Sequence, residues 1–274
     1  MILVDNAPDA PAFAGPEEVA ALLRWPVAYL HEPRRGLVAA RNRALRAVPP
    51  EADFVAFVDD DETVTPGWLA ALLATQRATG AAAVQGVVVP RFAAPPARWM
   101  TDLAIYSLGP FDEGQALNFA GAGNVLLDAR FLRAHRLMFD ERFNTSGGED
   151  EEFFGRLRAL GGRIHASAGA IIHEDVPVSR MTLGWVLRRR YRMGNTLGRI
   201  ALLRGRGRAL RIAKGLGAVV LGLIGALALP VSRTAGMRGL LQAVRGAGML
   251  AAFLRFRVDE YAPTDAVPGR GKVG

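Results

Sequence analysis

The sequence predicts an α/β chain built on a mostly parallel sheet flanked by helices. Short apolar runs alternate with helical patterns about every 25 residues, which is the rhythm of βαβ units. Acidic residues fall just past the C-terminal ends of two of the runs, where open α/β sheets bind ligands. Half of the 274 residues are apolar, enough for a sizeable core.

In order along the chain, Ile2–Val4 reads as a short strand ending at Asp5-Asn6, and Glu17–Arg24 as a helix opened near Pro16. Val27–Leu30 is a second strand, and Gly36–Ala47 is a helix stopped by Pro49-Pro50. Phe54–Val58 is an uninterrupted apolar run that reads as a buried strand, followed by Asp59-Asp60-Asp61-Glu62. Pro66–Arg77 is helical and Val84–Val89 is a strand. Residues 90–118, with Pro95-Pro96 and Gly109-Pro110, read as a looser segment, an expected mobile lid. Asn124–Leu127 returns to strand character. Glu149–Leu160 is a helix closed by Gly161-Gly162, and Ile164–His173 is the last strand.

Met181–Arg204 reads as one or two basic amphipathic helices. Gly215–Ser232 carries no charge and approaches the ~20 residues that span a bilayer. With Gly239–Leu254 it forms an expected membrane-embedded or interfacial hairpin. The divisions are then 1–200 for the sheet domain, 201–261 for a basic and apolar helical segment, and 262–274 for a disordered tail.

The net charge is +8, and no acidic residue lies between Asp175 and Asp259. Such asymmetry points to an anionic partner for the C-terminal third. The basic residues are not interleaved with aromatics, which argues for an anionic membrane surface and no nucleic acid. Cysteine is absent, which excludes disulfides, thiolate metal sites and cysteine nucleophiles. Met1 leads straight into the Ile2–Val4 strand with no signal peptide, so the expected side of the membrane is the cytoplasmic one.

Stacked carboxylates at a strand end repel one another, and a hard divalent cation reverses that cost. Asp59-Asp60-Asp61 is therefore a candidate site for Mn²⁺ or Mg²⁺; the competing reading is a solvated acidic turn. Glu149-Asp150 stands at a helix start behind Gly147-Gly148. There it serves either as dipole-favoured carboxylates or as a general base. Asp5 is a turn residue or a contact for a base or ribose. Arg41 is a surface arginine, a phosphate contact or a brace for an acidic site. His173 is a structural histidine or a nitrogen ligand to the cation. Arg188–Arg192 follows Trp185 and suits either a leaving diphosphate or anionic lipid.

Taken together, Ile2–Asn6, Gly36–Asn42, Phe57–Asp61, Gly121–Asn124, Gly148–Asp150 and His173 resemble the family 2 glycosyltransferases of the GT-A fold, in order and spacing, over about residues 1–200. The likeness is to bacterial enzymes that build exopolysaccharide repeat units on lipid carriers. It implies inverting, metal-dependent transfer from a nucleotide diphosphate sugar, UDP-sugar favoured, to a lipid-linked or membrane-associated acceptor at the cytoplasmic face of the bacterial inner membrane. Residue by residue, it implies that Asp5 binds the base and that Asp59, with Asp60, touches the ribose. Asp61 and His173 hold the metal. Asn124 and Glu149 lie near sugar, and Asp150 is the catalytic base. Arg41, Arg189 and Arg192 serve substrate binding. Family members usually carry a strand and helix before the Asp5 strand, and here that strand opens the chain. The Gln-x-x-Arg-Trp motif of processive members is replaced by Arg189-Arg190-Tyr191-Arg192-Met193, which implies a single transfer. The alternative is a membrane-bound protein that binds a nucleotide sugar without turnover.

Overall fold

The computed structural model describes residues 1–23, 26–205 and 207–254. The expected disordered tail at 262–274 lies outside the described residues.

The first unit is small. Strand β1 (Ile2–Asp5) pairs in parallel with β2 (Ala28–His31), joined through helix α1 (Pro16–Leu23). The rest of the sheet is a separate set of strands: β3 (Phe54–Val58), β4 (Glu62–Val64), β5 (Ala83–Phe92), β6 (Ala116–Leu117), β7 (Asn124–Asp128) and β8 (Ile164–Val176). Their order is β3-β7-β5-β8-β4, with β6 also on β8.

This sheet is mixed, which corrects the mostly parallel expectation. Only β5 and β8 run parallel; β3–β7, β5–β7, β4–β8 and β6–β8 are antiparallel. Helix–strand alternation predicts parallel pairs only where a helix returns the chain to the same end. β7 is reached through residues 93–123, which hold only the short α4 (Arg98–Asp102) and β6, so it enters from the opposite end. β3 also differs from expectation. Among the described residues it pairs on one side only, with β7, and Ala56 and Val58 are exposed.

The central β7 is buried on both faces, and its alternation sorts the core. Val125 and Leu127 pack with Phe139, Phe153, Phe154 and Leu157 beneath α6 (Glu149–Ala159). Leu126, with Val84 and Ala170, packs against Leu72 and Trp68 of α3 (Trp68–Thr79). The unpredicted α5 (Ala129–His135) follows β7 directly. Asp128 caps it, its carboxylate accepting from the Arg130 and Phe131 amides at 2.8 and 3.1 Å.

Residues 93–123 are not a free flap. Trp99, Met100, Ile105 and Tyr106 are buried with Val176, Val186, Met237 and Leu241. Apart from Val176 at the end of β8, these partners belong to the C-terminal layer of α7 (Leu183–Arg204), α8 (Arg208–Ala226) and α9 (Arg233–Phe253). α9 lies between α7 and α8, and glycines allow the approach. A Cβ at Gly248 would stand 2.0 Å from the Tyr191 carbonyl, and one at Gly222 2.4 Å from the Ala243 amide. Among the described residues α8 is the helix long and apolar enough to cross a membrane, and only 11% of its most apolar window is buried.

Candidate active site

The site begins with α2 (Leu37–Arg46). Gly36 precedes it at φ +125°, and a Cβ there would collide with the Asn144 side chain. Asn144 instead accepts from the Ala39 amide (2.9 Å) and donates to the Arg35 carbonyl (2.8 Å), which caps the helix from a distant segment. Asn6 accepts from the Gly36 amide at 2.9 Å and ties the β1 end to the same turn.

One turn into α2, Arg41 points inward. Its side chain is 6% exposed. One guanidinium nitrogen donates to Glu149 Oε1 (2.9 Å) and Asp150 Oδ1 (3.0 Å); the other donates to both oxygens of Asp59 at 3.3 Å. Arg41 therefore joins the end of β3 to the tip of α6. Burial opposes its charge, but Asp150, Asp59 and Glu149 together outweigh that and hold its proton more firmly than usual.

Asp150 stands in the first turn of α6, where four consecutive acids gain from the helix dipole. Gly148 opens that helix at φ +88°, with no room for a Cβ against Thr196 of α7. The remaining oxygen of Asp150 accepts from the Ala122 amide at 3.2 Å. Burial pushes the Asp150 carboxyl up to about 7; Arg41 pulls it down and Glu149 pushes it further up. A quarter of the side chain is still open to solvent.

The loop Gly121–Gly123 floors the cleft between these groups. Gln85, buried in β5, accepts from the Gly121 amide (2.6 Å) and donates to the Asn124 carbonyl (2.8 Å). Gly123 lies so close to Glu62 and Asp59 that a Cβ would meet their carboxylates at 2.4 and 3.2 Å. Glu62 accepts from the Asp59 amide at 2.9 Å. Burial pushes its carboxyl up to about 8, with Asp59, Glu174 and Asp61 adding repulsion.

Asp61 continues this acidic wall. Its carboxylate accepts from Arg180 at 3.1 Å, and Arg180 also pairs with Glu174 at 3.5 Å. His173 lies on β8 opposite Thr63 of β4, and its Nδ1 is buried without a hydrogen-bond partner. An orphaned imidazole nitrogen has the chemistry of a cation ligand. Among the described residues no three His, Asp or Glu side chains converge into a cage. One carboxylate and one imidazole suit an ion that takes its other oxygens from water and substrate phosphates. Six carboxylates (Asp59, Asp61, Glu62, Glu149, Asp150 and Glu174) face Arg41, Arg180 and Arg189, so the cleft has negative charge to spare.

Other expected residues sit differently. Asp60 is exposed. The Asp5 carboxylate accepts from Tyr29 and from the Ala7 and Ala12 amides, which lowers its pKa and makes it the brace of its own loop. Asn124, expected near sugar, is 1% exposed and held inside the sheet. It donates to the Val87 and Ala170 carbonyls (3.0 and 3.1 Å) and accepts from Trp68 (2.7 Å). These bonds fill the register shift between β5 and β8 at Gly86, so Asn124 positions the loop before it. Arg189 lies over the Trp185 ring at 5.2 Å and acts on Glu174; Arg192 is half-buried on the same helix. Gln85, Glu62 and Arg180 were not anticipated. A polar residue within an apolar run was the one signal for Gln85.

The model of the family described as glycosyl transferase family 2 matches residues 1–142. The succinoglycan biosynthesis protein ExoM of Rhizobium meliloti (strain 1021) is 38% identical over 202 residues, 73% of this chain and 64% of that protein. The chain thus spans less than two thirds of that relative. The crystal structure of GalNAc-T7 with UDP, GalNAc and Mn²⁺ aligns with a TM-score of 0.52 at 14% identity, covering 73% of this chain and 41% of that one. S. aureus TarS 1–349 in complex with UDP aligns over 93% of this chain and 81% of its own at 16% identity, with a TM-score of 0.48. The fold is GT-A-like, with a mixed sheet and a C-terminal helical extension, and the chain belongs to glycosyl transferase family 2.

Proposed function

We propose that this protein transfers a sugar, with inversion, from a UDP-sugar to a lipid-linked acceptor in exopolysaccharide synthesis at the cytoplasmic face of the inner membrane. The observation that carries the reading is the Arg41 clamp, which brings Asp59 and Asp150 to one cleft although they are distant in sequence. The name of the Rhizobium relative supports the pathway, and the UDP and Mn²⁺ in the GalNAc-T7 structure support the donor and the cation.

Asp150 is the catalytic base. An acid whose carboxyl is pushed up to about 7 is ionised in a useful fraction at neutral pH and still basic enough to take a proton. It takes the proton of the acceptor hydroxyl as that oxygen bonds to the anomeric carbon. The bond from that carbon to the diphosphate breaks in the same displacement. Arg41 keeps Asp150 oriented and offsets the repulsion from Asp59 and Glu149. Asp61 and His173 would hold a divalent cation, and the chemistry it would supply is neutralisation of charge on the leaving diphosphate. Arg189 and Arg192 add positive charge from α7. Asp59 and Asp60 face the ribose and Glu149 the sugar, and Asp5 shapes the base end of the pocket through the loop it braces.

The test is a donor screen with membranes, following nucleoside diphosphate release with and without Mn²⁺. Metal-dependent release that requires the membrane fraction is expected. Nucleotide-sugar binding with no turnover would replace the transferase with a binding protein.

A further inference from the structure

The C-terminal layer holds a cavity of about 600 Å³ that the proposed reaction centre does not use. Arg190 of α7, Arg211 and Lys214 of α8, and Arg238 and Arg245 of α9 line it. The one acid on its wall is Asp102, whose carboxylate already accepts from Thr234 at 2.8 Å and pairs with Arg98. Leu197, Leu241 and Met249 supply an apolar side. Arg190 is pressed by burial and by Arg189 and Arg245, which lowers its pKa. So much like charge around one hollow is self-repulsive, and an anion of more than one charge relieves it.

The source of that anion follows from α8. Its cations, Arg208, Arg211 and Lys214, stand in its first turns, and no charge follows until Arg233. Leu216, Val220, Leu223, Ile224 and Leu227 then present an exposed apolar flank. A helix laid against a bilayer by that flank puts Arg211 and Lys214 at head-group level, facing the hollow. From its wall Arg245 and Arg211 both pull down the Glu151 carboxyl that burial raises, and Glu151 is the neighbour of Asp150 in α6.

We infer that this cavity binds the terminal diphosphate of a membrane lipid and thereby delivers the lipid-borne acceptor to the Asp150 side of the cleft. The delivery rests on the transferase reading; the binding does not.

The test is flotation of the full chain with three vesicle types. One is phosphatidylcholine alone; one adds a little diacylglycerol pyrophosphate; one adds phosphatidylserine to the same surface charge. The apolar flank gives some binding to all three. Diacylglycerol pyrophosphate should raise the partition coefficient by at least about tenfold over phosphatidylserine, since a multiply charged group meets several arginines at once. Arg211→Gln with Arg238→Gln should abolish that preference and leave binding to phosphatidylcholine unchanged. Lys214→Glu, at an exposed position, gives the same readout if the double variant fails to fold. Equal partition to the two anionic vesicles, or a preference surviving both variants, would overturn the inference. Inorganic diphosphate should compete only weakly. Competition at the affinity of the lipid would make the site one for a soluble anion and end the lipid assignment. Lipid preference without sugar transfer would leave this site standing and sink the transferase, and the converse result would do the reverse.

Discussion

The cleft above the sheet and the helical layer beside it handle charge in opposite ways. In the cleft, carboxylates outnumber bases, and the order comes from ion pairs that cross long stretches of sequence, such as Arg41 to Glu149 and Asp150. In the α7–α9 layer acids are absent, and the order comes from glycines that let helices touch. The first region is preorganised for chemistry, because its charges are fixed before substrate arrives. The second is shaped for a surface, because its cations and apolar flank are left for something outside the chain. A change in the cleft should therefore act on turnover first, and a change in the layer on packing and membrane binding.

The largest expected effect is that of Asp150→Asn. It keeps the size of the side chain and one of its two accepted hydrogen bonds, from Arg41 or from the Ala122 amide, and removes its basicity, so kcat should fall by roughly 10²–10⁴-fold while UDP affinity is retained. Steady-state kinetics with a fixed donor, beside calorimetric UDP binding, would show the split. Loss of UDP binding together with turnover would mean that Asp150 is a donor contact instead.

Arg41→Met should be costly in another currency. It strands Asp59, Glu149 and Asp150 together without their shared cation, and removing one partner of a buried pair typically costs about 3 kcal/mol or more. Thermal unfolding should shift down by several degrees, and Mn²⁺ should restore part of the loss. An unchanged melting temperature would show that the clamp is not what joins the two elements.

Gly248→Ala sharpens the other half of the comparison. Its Cβ would stand 2.0 Å from the Tyr191 carbonyl, so α9 must move away from α7 at a cost of about 1–3 kcal/mol. Gly217→Ala on α8 meets nothing within 4 Å and should be neutral or stabilising by about 0.5–1 kcal/mol. Denaturant melts of the two variants would rank them; equal values would remove the close-approach argument.

The smallest effect is on pH. With the Asp150 carboxyl raised to about 7, the active form is the ionised one, so kcat should rise as pH increases through about 7 and then level. An inflection near the ordinary aspartate range, about 4, would remove the burial argument.

Much of this was legible beforehand, for reasons that differ by element. β3 and the acidic run after it stood out because five apolar residues end abruptly in charge. Helices α2, α3, α6 and α7 lay within two residues of their expected ends, since glycine, proline or threonine stops are local signals. Strand direction was not local: β7 runs antiparallel because of how residues 93–123 return, and nothing inside β7 says so. Arg41 reads in isolation as a surface residue until the fold brings Glu149 and Asp150, 108 and 109 residues later, and Asp59, 18 residues later, onto its guanidinium. Asn124 shows a second kind of non-local contact. It does border the cleft loop, but a β-bulge at Gly86 occupies its amide.

The most direct test of the central claim is nucleoside diphosphate release from a UDP-sugar in the presence of membranes, run with Mn²⁺ and with chelator, for the native chain and for Asp61→Ala. Strict dependence on the cation in the native chain, and a drop toward the chelated rate in Asp61→Ala, is the predicted outcome. Full release in chelator, or an Asp61→Ala protein as active as the native one, would contradict a cation-assisted transfer at this cleft.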